Sequence, residues 1–431
     1  MKSDSKPDVC VVGLGYIGLP TAAIVARAGC RVRGVDLSQQ VVDTINRGAV
    51  HIEEVDLDGL VQGVVARGAL TASTELAPAD VFIIAVPTPF DANHAPDISH
   101  VLSAGEAVAQ VLKPGDTVIL ESTSPVGTTE ALRNLIGAHR PDLKCPGLTS
   151  DVPDLSIAYC PERVLPGRIL EELTGNDRSI GGITPRCARK ALAFYKLFVR
   201  GECVVTDSRS AEMTKLVENA YRDVNIAFAN ELSIVADRMG LDVWEVIRLA
   251  NRHPRVNILQ PGPGVGGHCI AVDPWFIVHG APEHTPLIRT ARGVNDSKIH
   301  HAIGRAEALI VAHPAARVAC LGLAFKANID DFRESPARLV AATLARKFGQ
   351  RITVVEPYAA ELPREFAGTG ASLVDLDTAL EQADILIVLV DHDQFRAVPL
   401  AERADKLVYD TRGIWRDQPA LAAAEPRRKA G

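Results

Sequence analysis

The segment VCVVGLGYIG at residues 9–18 joins a short apolar run to a stretch of helix-forming residues. The run Val9–Val12 predicts a buried strand, and Leu19–Ala28 predicts a helix that stops at Gly29. A strand that turns through a glycine-rich loop directly into a helix is typical of the first crossover unit of a parallel sheet. The start of the chain therefore predicts an α/β fold.

The glycines of this turn are spaced as in dinucleotide-binding proteins. The first permits the tight turn, the second lets the backbone approach a pyrophosphate, and the third lets helix and strand pack. An acid, Asp36, follows the next predicted strand, Arg31–Val35, and would accept hydrogen bonds from ribose hydroxyls. This acid favours NAD over NADP. We predict that the cofactor contacts Gly13, Gly15, Tyr16, Ile17, Gly18 and Asp36. The alternative is ordinary turn chemistry.

Strands and helices alternate at both ends of the chain, with a long helical stretch, Ser208–Met239, between them. We predict two Rossmann-like doubly wound parallel-sheet domains joined by a helical connector. The predicted boundaries are 1–205 for the NAD-binding domain, 206–312 for the connector with a cysteine loop, and 313–431 for the C-terminal domain. The predicted strands after the first two are Val81–Val86, Thr117–Leu120, a short one near Ser179, Cys203–Val205, Arg317–Leu321, Arg351–Val355, Asp384–Val390 and Lys406–Tyr409.

The composition excludes several classes of protein. With 431 residues, 47% of them hydrophobic and a net charge of -7, the chain is neither disordered nor suited to bind nucleic acid. The apolar run Ile385–Val390 is too short to cross a membrane, and the start MKSDSKPD lacks the core of a signal peptide. We expect a cytoplasmic protein with no membrane partner, in which most of the eight cysteines are reduced and buried.

Two loops follow predicted strands and carry prolines and hydroxyl groups. Pro87 and Thr88 follow one strand, and Ser122–Thr129, which contains Thr123, follows another. Ligands of open parallel sheets bind beyond the carboxyl ends of the strands. We expect both loops to line the nicotinamide half of the cofactor. The alternative interpretation is plain turns and helix caps.

One face of the long helix carries Glu212, Lys215, Asn219 and Arg222 at spacings of three and four residues. Such faces are often merely solvated. Lys215 and Asn219, however, could both donate hydrogen bonds to an oxygen that gains negative charge.

The loop Pro261–Pro274 is rich in glycine and proline and presents Cys269. An ordinary thiol is only about 3% thiolate at neutral pH, so a nucleophilic Cys269 needs a nearby cation such as Lys215. The alternative is a buried apolar cysteine. A metal site built from His268, Cys269 and Asp273 lacks zinc spacing, and we expect no metal.

Seven segments along the chain form an ordered set of motifs: GLGYIGLP at Gly13–Pro20, VPTPFD at Val86–Asp91, STSPVGTT at Ser122–Thr129, YCPERVLPG at Tyr159–Gly167, EMTKLVENAYRDVNIAFANEL at Glu212–Leu232, PGPGVGGHCIAVDPWF at Pro261–Phe276 and GLAFKANIDDFRESP at Gly322–Pro336. Taken together, these motifs resemble those of the UDP-glucose/GDP-mannose dehydrogenase family. The resemblance implies an NAD-binding domain, a helical connector used in dimerisation and a C-terminal domain that helps to hold a nucleotide sugar.

The resemblance also implies roles for individual residues. Cys269 matches the family nucleophile, Thr123 a residue that positions water, and Glu162 an acid of thioester hydrolysis. Lys215 and Asn219 match the oxygen-stabilising pair, and Asp273 the acid four residues beyond the cysteine. Arg333 matches a residue near the cofactor, and Arg255 one that reaches the neighbouring subunit's sugar site. The implied substrate contacts are Glu162, Arg163, Lys215, Asn219, Arg222, Arg255, Gly266 and Lys326.

Two departures from the UDP-glucose branch bear on the substrate. Pro166 stands where that branch has a second glutamate, and Gln260 where it has a lysine. Both departures fit the N-acetylated sugar branch. The resemblance thus implies a four-electron oxidation of the C6 alcohol of a UDP-N-acetylhexosamine, with UDP-N-acetyl-D-mannosamine as the preferred candidate. It also implies a homodimer that uses two NAD per sugar and whose product enters polysaccharide biosynthesis.

Alternative functions remain open from the sequence. The substrate could be UDP-N-acetylglucosamine or UDP-glucose. A β-hydroxyacid dehydrogenase-like enzyme would release one NADH and tolerate the loss of Cys269. A protein that binds NAD without turnover is a third interpretation.

Overall fold

The computed structural model describes residues 6–52, 54–91, 93–148, 152–164, 167–267 and 269–416. Pro166 and His268, which the sequence analysis singled out, lie outside these residues. The chain divides into two compact units. Unit 1 comprises Met1–Asn219 and Val272–Thr285, and unit 2 comprises Ala220–Ala271 and Pro286–Gly431.

Unit 1 is built on a sheet that, in the described residues, has the strand order β3-β2-β1-β4-β5-β6-β7-β8. Its neighbouring strands run parallel, apart from β6 and β7, which pair antiparallel. The strands are β1 (Asp8–Val12), β2 (Arg31–Val35), β3 (Leu70–Ser73), β4 (Val81–Ile84), β5 (Thr117–Leu120), β6 (Ser156–Tyr159), β7 (Arg178–Gly182) and β8 (Cys203–Asp207). The helices between them are α1 (Gly18–Arg27), α2 (Gln39–Asn46), α3 (Leu57–Ala66), α4 (Ser99–Ala109), α5 (Thr128–His139), α6 (Ile169–Gly175) and α7 (Pro185–Tyr195).

Both faces of this sheet are buried. On β1, Val9 and Val11 belong to one hydrophobic cluster, whereas Cys10 and Val12 belong to another. Alternate side chains of a strand point to opposite faces, so each cluster lies on its own side of the sheet. This explains why the central strands are continuous apolar runs.

The chain continues through helices that are shared out between the units. The long helix α8 (Ser208–Met239) has residues 208–219 in unit 1 and the rest in unit 2. Then follow α9 (Val243–Ala250) in unit 2, α10 (Asp273–Gly280) in unit 1 and α11 (Pro286–Ala312) in unit 2.

Unit 2 contains a parallel sheet, of strand order β11-β10-β9-β12-β13 in the described residues. Its helix α12 begins where Ser335 accepts a hydrogen bond from the Arg338 amide and Pro336 takes the first helical position. The strands are β9 (Val318–Leu321), β10 (Ile352–Val355), β11 (Ser372–Leu373), β12 (Ile385–Val388) and β13 (Leu407–Asp410). The helices are α12 (Pro336–Phe348), α13 (Leu376–Gln382), α14 (Asp393–Arg396) and α15 (Leu400–Arg403), with 3-10 turns at Gly349–Arg351 and Arg364–Phe366.

The predicted fold class is confirmed. The short strands β3 and β6 and the antiparallel pairing of β7 were not predicted, and the three-domain division stays a prediction. All eight cysteines lie in the described residues, and most are buried as expected, while Cys203 is half-buried and Cys269 exposed. Among the described residues no helix has the length and apolar character needed to cross a bilayer.

Candidate active site

The glycine turn of unit 1 has the shape that a bound dinucleotide requires. Gly13 has a φ of +90°, and a Cβ there would lie 2.7 Å from the Ala85 carbonyl oxygen. A Cβ on Gly18 would lie 1.7 Å from the carbonyl oxygen of Gly13, so neither position accepts another residue. A Cβ on Gly15 would meet nothing within 4 Å. The open space at Gly15, at the start of α1, fits a pyrophosphate.

The acid after β2 is held beside this turn. Asp36 accepts hydrogen bonds from the backbone N–H groups of Leu14, at 3.0 Å, and Ser38, at 2.9 Å. A carboxylate has about four acceptor positions, so Asp36 can still accept from a ribose. Of the other predicted contacts, Ile17 precedes the first residue of α1, and Tyr16 packs against the core.

The loops after β4 and β5 are joined to each other. Thr88 Oγ1 donates a hydrogen bond to the backbone carbonyl of Thr123. Ser122 Oγ donates to the carbonyl of Val86 at 2.6 Å, next to Pro87. Unit 1 therefore brings the predicted nicotinamide loops together at one edge of the sheet.

Strand register places Thr123 and Glu162 at the same edge. Leu120 of β5 pairs with Tyr159 of β6, and the two strands are parallel. Thr123 and Glu162 each follow by three residues, beyond the carboxyl ends of neighbouring strands, where ligands of such sheets bind.

Two hydrogen bonds gather the predicted catalytic groups of unit 1. Lys215 Nζ donates to the backbone carbonyl of Glu162 at 2.7 Å. Asn219 Nδ2 donates to Asp273 Oδ2 at 2.5 Å. Because Lys215 and Asn219 are one turn apart on α8, the ammonium, the amide and both acids form one cluster. Lys215 keeps further N–H donors for another acceptor.

Both acids of this cluster have displaced pKa values. Burial raises the pKa of Glu162 to about 7, although the charges of Lys215 and Arg178 act in the opposite direction. Burial also raises the pKa of Asp273 to about 7, against the hydrogen bond from Asn219 and the charge of Lys215. Glu162 Oε2 accepts from the Val164 N–H at 2.8 Å, whereas Oε1 is buried without a partner. Acids that titrate near neutral pH inside a polar cluster suit proton transfer.

The same helix contributes groups whose role the sequence did not reveal. Glu212 is fully buried and accepts from the N–H groups of Gly127, at 2.6 Å, and Thr129, at 2.7 Å. It therefore fixes the start of α5 and is not a ligand group. Arg163, a predicted substrate contact, is paired with Glu218 at 2.7 Å and donates to Ser179 Oγ at 2.9 Å.

In unit 2, the cysteine loop packs against the loop that follows β9. A Cβ on Gly266 would lie 2.5 Å from the Glu334 carbonyl oxygen, and one on Gly267 would lie 2.9 Å from the Phe325 ring. This contact makes Gly266 a neighbour of the loop that contains Lys326 and Arg333. Cys269 is exposed at the end of its loop.

The predicted cations of unit 2 lie on separate segments of the chain. Arg222 on α8, Arg255 after α9 and Lys326 are exposed. Arg333 donates to Asp331 at 2.8 and 2.5 Å. No group of three His, Cys, Asp or Glu side chains arranged for a metal occurs among the residues that the structure describes.

A buried polar network anchors the start of the cysteine loop and was missed by the sequence analysis. Asn230 Oδ1 accepts from the Gly262 N–H at 2.9 Å, and Asn230 Nδ2 donates to Asn295 at 2.8 Å. Asn295 and Arg292 donate to Asp223 at 2.8 and 2.6 Å. The loop that presents Cys269 thus starts from a rigid point.

Comparisons with known proteins find matches along nearly the whole chain. The profiles of the UDP-glucose/GDP-mannose dehydrogenase family match as its NAD-binding domain at residues 7–199, its central domain at 209–297 and its UDP-binding domain at 319–417.

Individual relatives cover the chain almost completely. The NDP-N-acetyl-D-galactosaminuronic acid dehydrogenase of Ralstonia nicotianae is 56% identical over 407 residues, covering 94% of this chain and 96% of the relative. The UDP-N-acetyl-D-mannosamine dehydrogenase of Yersinia pestis is 55% identical over 416 residues, covering 95% and 99%. The structure of the UDP-D-ManNAc dehydrogenase of Pyrococcus horikoshii superposes with a TM-score of 0.86 at 36% identity, covering 96% of this chain and 97% of that one.

Proposed function

This chain belongs to the UDP-glucose/GDP-mannose dehydrogenase family and is an NAD-dependent UDP-sugar dehydrogenase, and we propose that it oxidises the C6 alcohol of UDP-N-acetyl-D-mannosamine to the carboxylate. The observation that carries this proposal is the cluster of Glu162, Lys215, Asn219 and Asp273 in unit 1. This cluster combines a cation, an amide donor and two acids with pKa values near 7, and Glu162 follows the carboxyl end of β6, which supports a ligand site there.

The overall reaction removes four electrons from the sugar. The alcohol, two NAD⁺ and one water give the carboxylate, two NADH and three protons. When bound, NAD accepts a hydride from C6 in each of the two oxidations. The glycine turn from Gly13 to Gly18 and Asp36 would hold its adenosine half, and the loops containing Thr88 and Thr123 its nicotinamide half.

Each protein group has a distinct task in this proposal. Lys215 and Asn219 donate hydrogen bonds to the oxygen on C6, which carries negative charge as the carbonyl forms and again when the thioester is attacked. Asp273 orients Asn219 through their hydrogen bond.

Cys269 supplies the covalent step. Its thiolate adds to the aldehyde carbon and forms a thiohemiacetal, which a second hydride loss converts to the thioester. Water positioned by Thr123 then attacks the thioester carbon, Glu162 accepts the proton of that water, and the thiol is released with the carboxylate. Covalent capture keeps the aldehyde from diffusing away between the oxidations.

Two sequence positions and the relatives support UDP-N-acetyl-D-mannosamine as the substrate. Pro166 and Gln260 replace groups of the UDP-glucose branch, and the Yersinia pestis relative is a UDP-N-acetyl-D-mannosamine dehydrogenase. A second candidate is the galacto epimer, because the Ralstonia nicotianae relative is an NDP-N-acetyl-D-galactosaminuronic acid dehydrogenase of similar identity.

The test is a substrate panel with NAD and the full chain. We expect UDP-N-acetyl-D-mannosamine to have a higher kcat/KM than the UDP-linked forms of N-acetylgalactosamine, N-acetylglucosamine and glucose, with two NADH per sugar consumed. One NADH per sugar would refute the covalent mechanism and favour a two-electron enzyme. A higher kcat/KM for N-acetylgalactosamine would transfer the proposal to the galacto epimer.

Cys269→Ser tests the nucleophile, with Cys203→Ser as the matched control at a half-buried cysteine. We expect formation of the carboxylate by Cys269→Ser to fall by about 10³-fold or more, with unchanged affinity for NAD. Carboxylate production at the normal rate by Cys269→Ser would overturn the assignment.

We also propose a homodimer that α8 helps to form. Tyr221, Phe228, Val235 and Met239 are exposed on α8, and the first three recur every seven residues along one stripe. A second copy of the chain would cover this stripe. Phe228→Glu should yield a monomer by light scattering after size exclusion, while Glu231→Gln on the same helix should not.

Arg255 acts across that interface in the proposed dimer. Mixing Cys269→Ser with Arg255→Ala subunits, each inactive alone, should restore about a quarter of the wild-type activity, because each mixed dimer holds one complete site. No recovery would place Arg255 in the site of its own chain.

A further inference from the structure

A cavity of about 100 Å³, lined by both polar and apolar side chains, lies within unit 2. It is bordered by α8, by α11 and by the end of β13. The residues that matter here are Ser233, Asp237, Pro261, Lys298, His301 and Thr411. A water needs only about 10 to 15 Å³ by this measure, so the cavity has room for an ion of phosphate size.

Lys298 is the unusual group of this cavity, because its side chain is only 6% exposed. Its ammonium donates one hydrogen bond, to Ser233 Oγ at 2.7 Å. The Ser233 hydroxyl in turn donates to the Asn230 carbonyl at 2.6 Å. Among the described residues no carboxylate lies within salt-bridge distance of Lys298, so two of its three N–H donors have no protein partner.

The other charged groups around the cavity are already engaged. Asp237 faces Arg305 at 3.1 Å and His301 at 3.5 Å. Arg416 pairs with Asp242 at 2.7 Å.

The remaining acid, Asp410, is also occupied. It accepts hydrogen bonds from the backbone N–H groups of Arg412, Gly413 and Trp415. Tyr409 lines the cavity as well, and its hydroxyl has no protein partner in the described part of the chain.

A buried ammonium without a counter-ion is costly, because desolvation removes its interaction with water. Burial lowers the pKa of Lys298 to about 8, although Asp237 acts in the opposite direction. At neutral pH the group is still mainly charged, and an anion beside it would supply the missing acceptor atoms.

We propose that this cavity binds one small tetrahedral oxyanion of the phosphate class, held by Lys298. The cavity touches two segments that matter for the chemistry. Pro261 begins the loop that leads to Cys269, and Thr411 precedes Arg412, which lies 2.5 Å from the position of a Cβ on Gly262. An anion here would therefore contact the start of the loop that leads to Cys269. An effect on kcat would rest on the proposed function, whereas the binding of the anion does not.

The primary experiment is calorimetric titration of the full chain with inorganic phosphate at fixed ionic strength. We expect saturable binding that includes a site lost or at least tenfold weakened in Lys298→Met. Lys347→Met, an exposed lysine paired with Glu307 at 2.6 Å, is the matched control and should bind as wild type does. Lys215→Met should also retain the site, because that residue belongs to the catalytic cluster.

In these titrations, the proposal is overturned either by no saturable phosphate binding by the wild type or by equal binding by a folded Lys298→Met. A parallel titration with UMP distinguishes a free ion from the phosphoryl group of a nucleotide. Of phosphate and UMP, the one that occupies this cavity should bind Lys298→Met more weakly than the wild type. A wild-type crystal soaked in selenate provides a check that needs no variant. An anomalous peak within hydrogen-bond distance of Lys298 Nζ is expected, and its absence would refute the site.

Discussion

The side-chain amide of Asn219 donates a hydrogen bond of 2.5 Å to the carboxylate of Asp273. Asp273 is the first residue of α10, where the partial positive charge of a helix start favours a carboxylate, yet burial raises its pKa to about 7. The bond also fixes the orientation of the amide, because its nitrogen must face the acid. The second N–H of Asn219 is therefore held in a defined direction for a ligand oxygen.

The donor pair on α8 should act mainly on the rate of oxidation. Lys215→Met and Asn219→Ala should each lower kcat by about 10²- to 10³-fold, because each removes a donor to the charged oxygen. The affinity for NAD, measured by fluorescence titration, should not change. Lys190→Met is the control, at a half-buried lysine outside the cluster that donates a hydrogen bond to the Gly115 carbonyl at 2.9 Å. Normal turnover by Lys215→Met would remove this residue from the mechanism.

The acids of the cluster predict how activity depends on pH. With pKa values raised to about 7, Glu162 and Asp273 are mostly protonated below neutrality and become proton acceptors above it. We expect kcat to increase as pH rises through about 7. In Glu162→Gln the profile should lose part of this rise, whereas the exposed Asp142→Asn should retain it. A wild-type profile flat from about pH 5 to about pH 8 would contradict this assignment.

The buried carboxyl of Glu162 also predicts a pH dependence of stability. Its pKa is 4.5 in the unperturbed state and about 7 in the folded protein, so between these values the folded chain binds the proton more tightly. The contribution of Glu162 to the free energy of unfolding is therefore greatest below pH 4.5, decreases as pH rises and is lost above about 7. Relative to Glu162→Gln, the wild type should lose on the order of 3 kcal/mol over this range in urea unfolding. An opposite sign would show that the folded state prefers the charged form.

The Glu212 carboxylate should contribute strongly to stability. Glu212→Gln places an amide against N–H donors of Gly127 and Thr129, and an unsatisfied buried donor costs about 2 kcal/mol. Urea unfolding at neutral pH measures this loss. Glu130→Gln, which breaks an exposed pair with Arg209, should cost less than about 1 kcal/mol. Equal effects of the two substitutions would mean that the start of α5 does not depend on Glu212.

Asp36 should decide between the two nicotinamide dinucleotides. Asp36→Asn removes the charge that repels a 2'-phosphate, so the Kd for NAD should rise about tenfold while that for NADP falls. Asp43→Asn, on α2, is the control, since the Asp43 carboxylate accepts a hydrogen bond from Gln39 on the same helix at 2.8 Å. Unchanged discrimination in Asp36→Asn would mean that another group selects the cofactor.

The sequence predicted the fold most accurately where local patterns are strong. The bounds of β2, β5 and α8 agree with the prediction to the residue. Val32 and Val35 before an acid mark β2, a mostly apolar run marks β5, and an uninterrupted helical stretch marks α8. The strand β3, with sequence LTAS, has a single large apolar residue and was missed. The antiparallel pairing of β7 could not be predicted, because strand direction depends on how the chain crosses the sheet.

The sequence predicted the functional residues of the candidate site but not the hydrogen-bonding partners that hold the surrounding segments in place. Lys215 and Asn219 stand out because helix geometry brings residues four apart together. Arg292 and Asp223, in contrast, are 69 positions apart in sequence and meet only in the fold. The same is true of Glu212 and Gly127, which are 85 positions apart. No local pattern marks such partners.

The three glycines of the first turn answer to different constraints. At positions 13 and 18 the protein's own carbonyl groups forbid a side chain, so folding alone maintains them. At position 15 no protein atom lies within 4 Å of an added Cβ, so a methyl group there would clash only with a bound pyrophosphate. A homologue that no longer binds the dinucleotide could accept a larger residue at position 15 but would still need glycine at positions 13 and 18. That pattern of substitution would indicate the loss of cofactor binding.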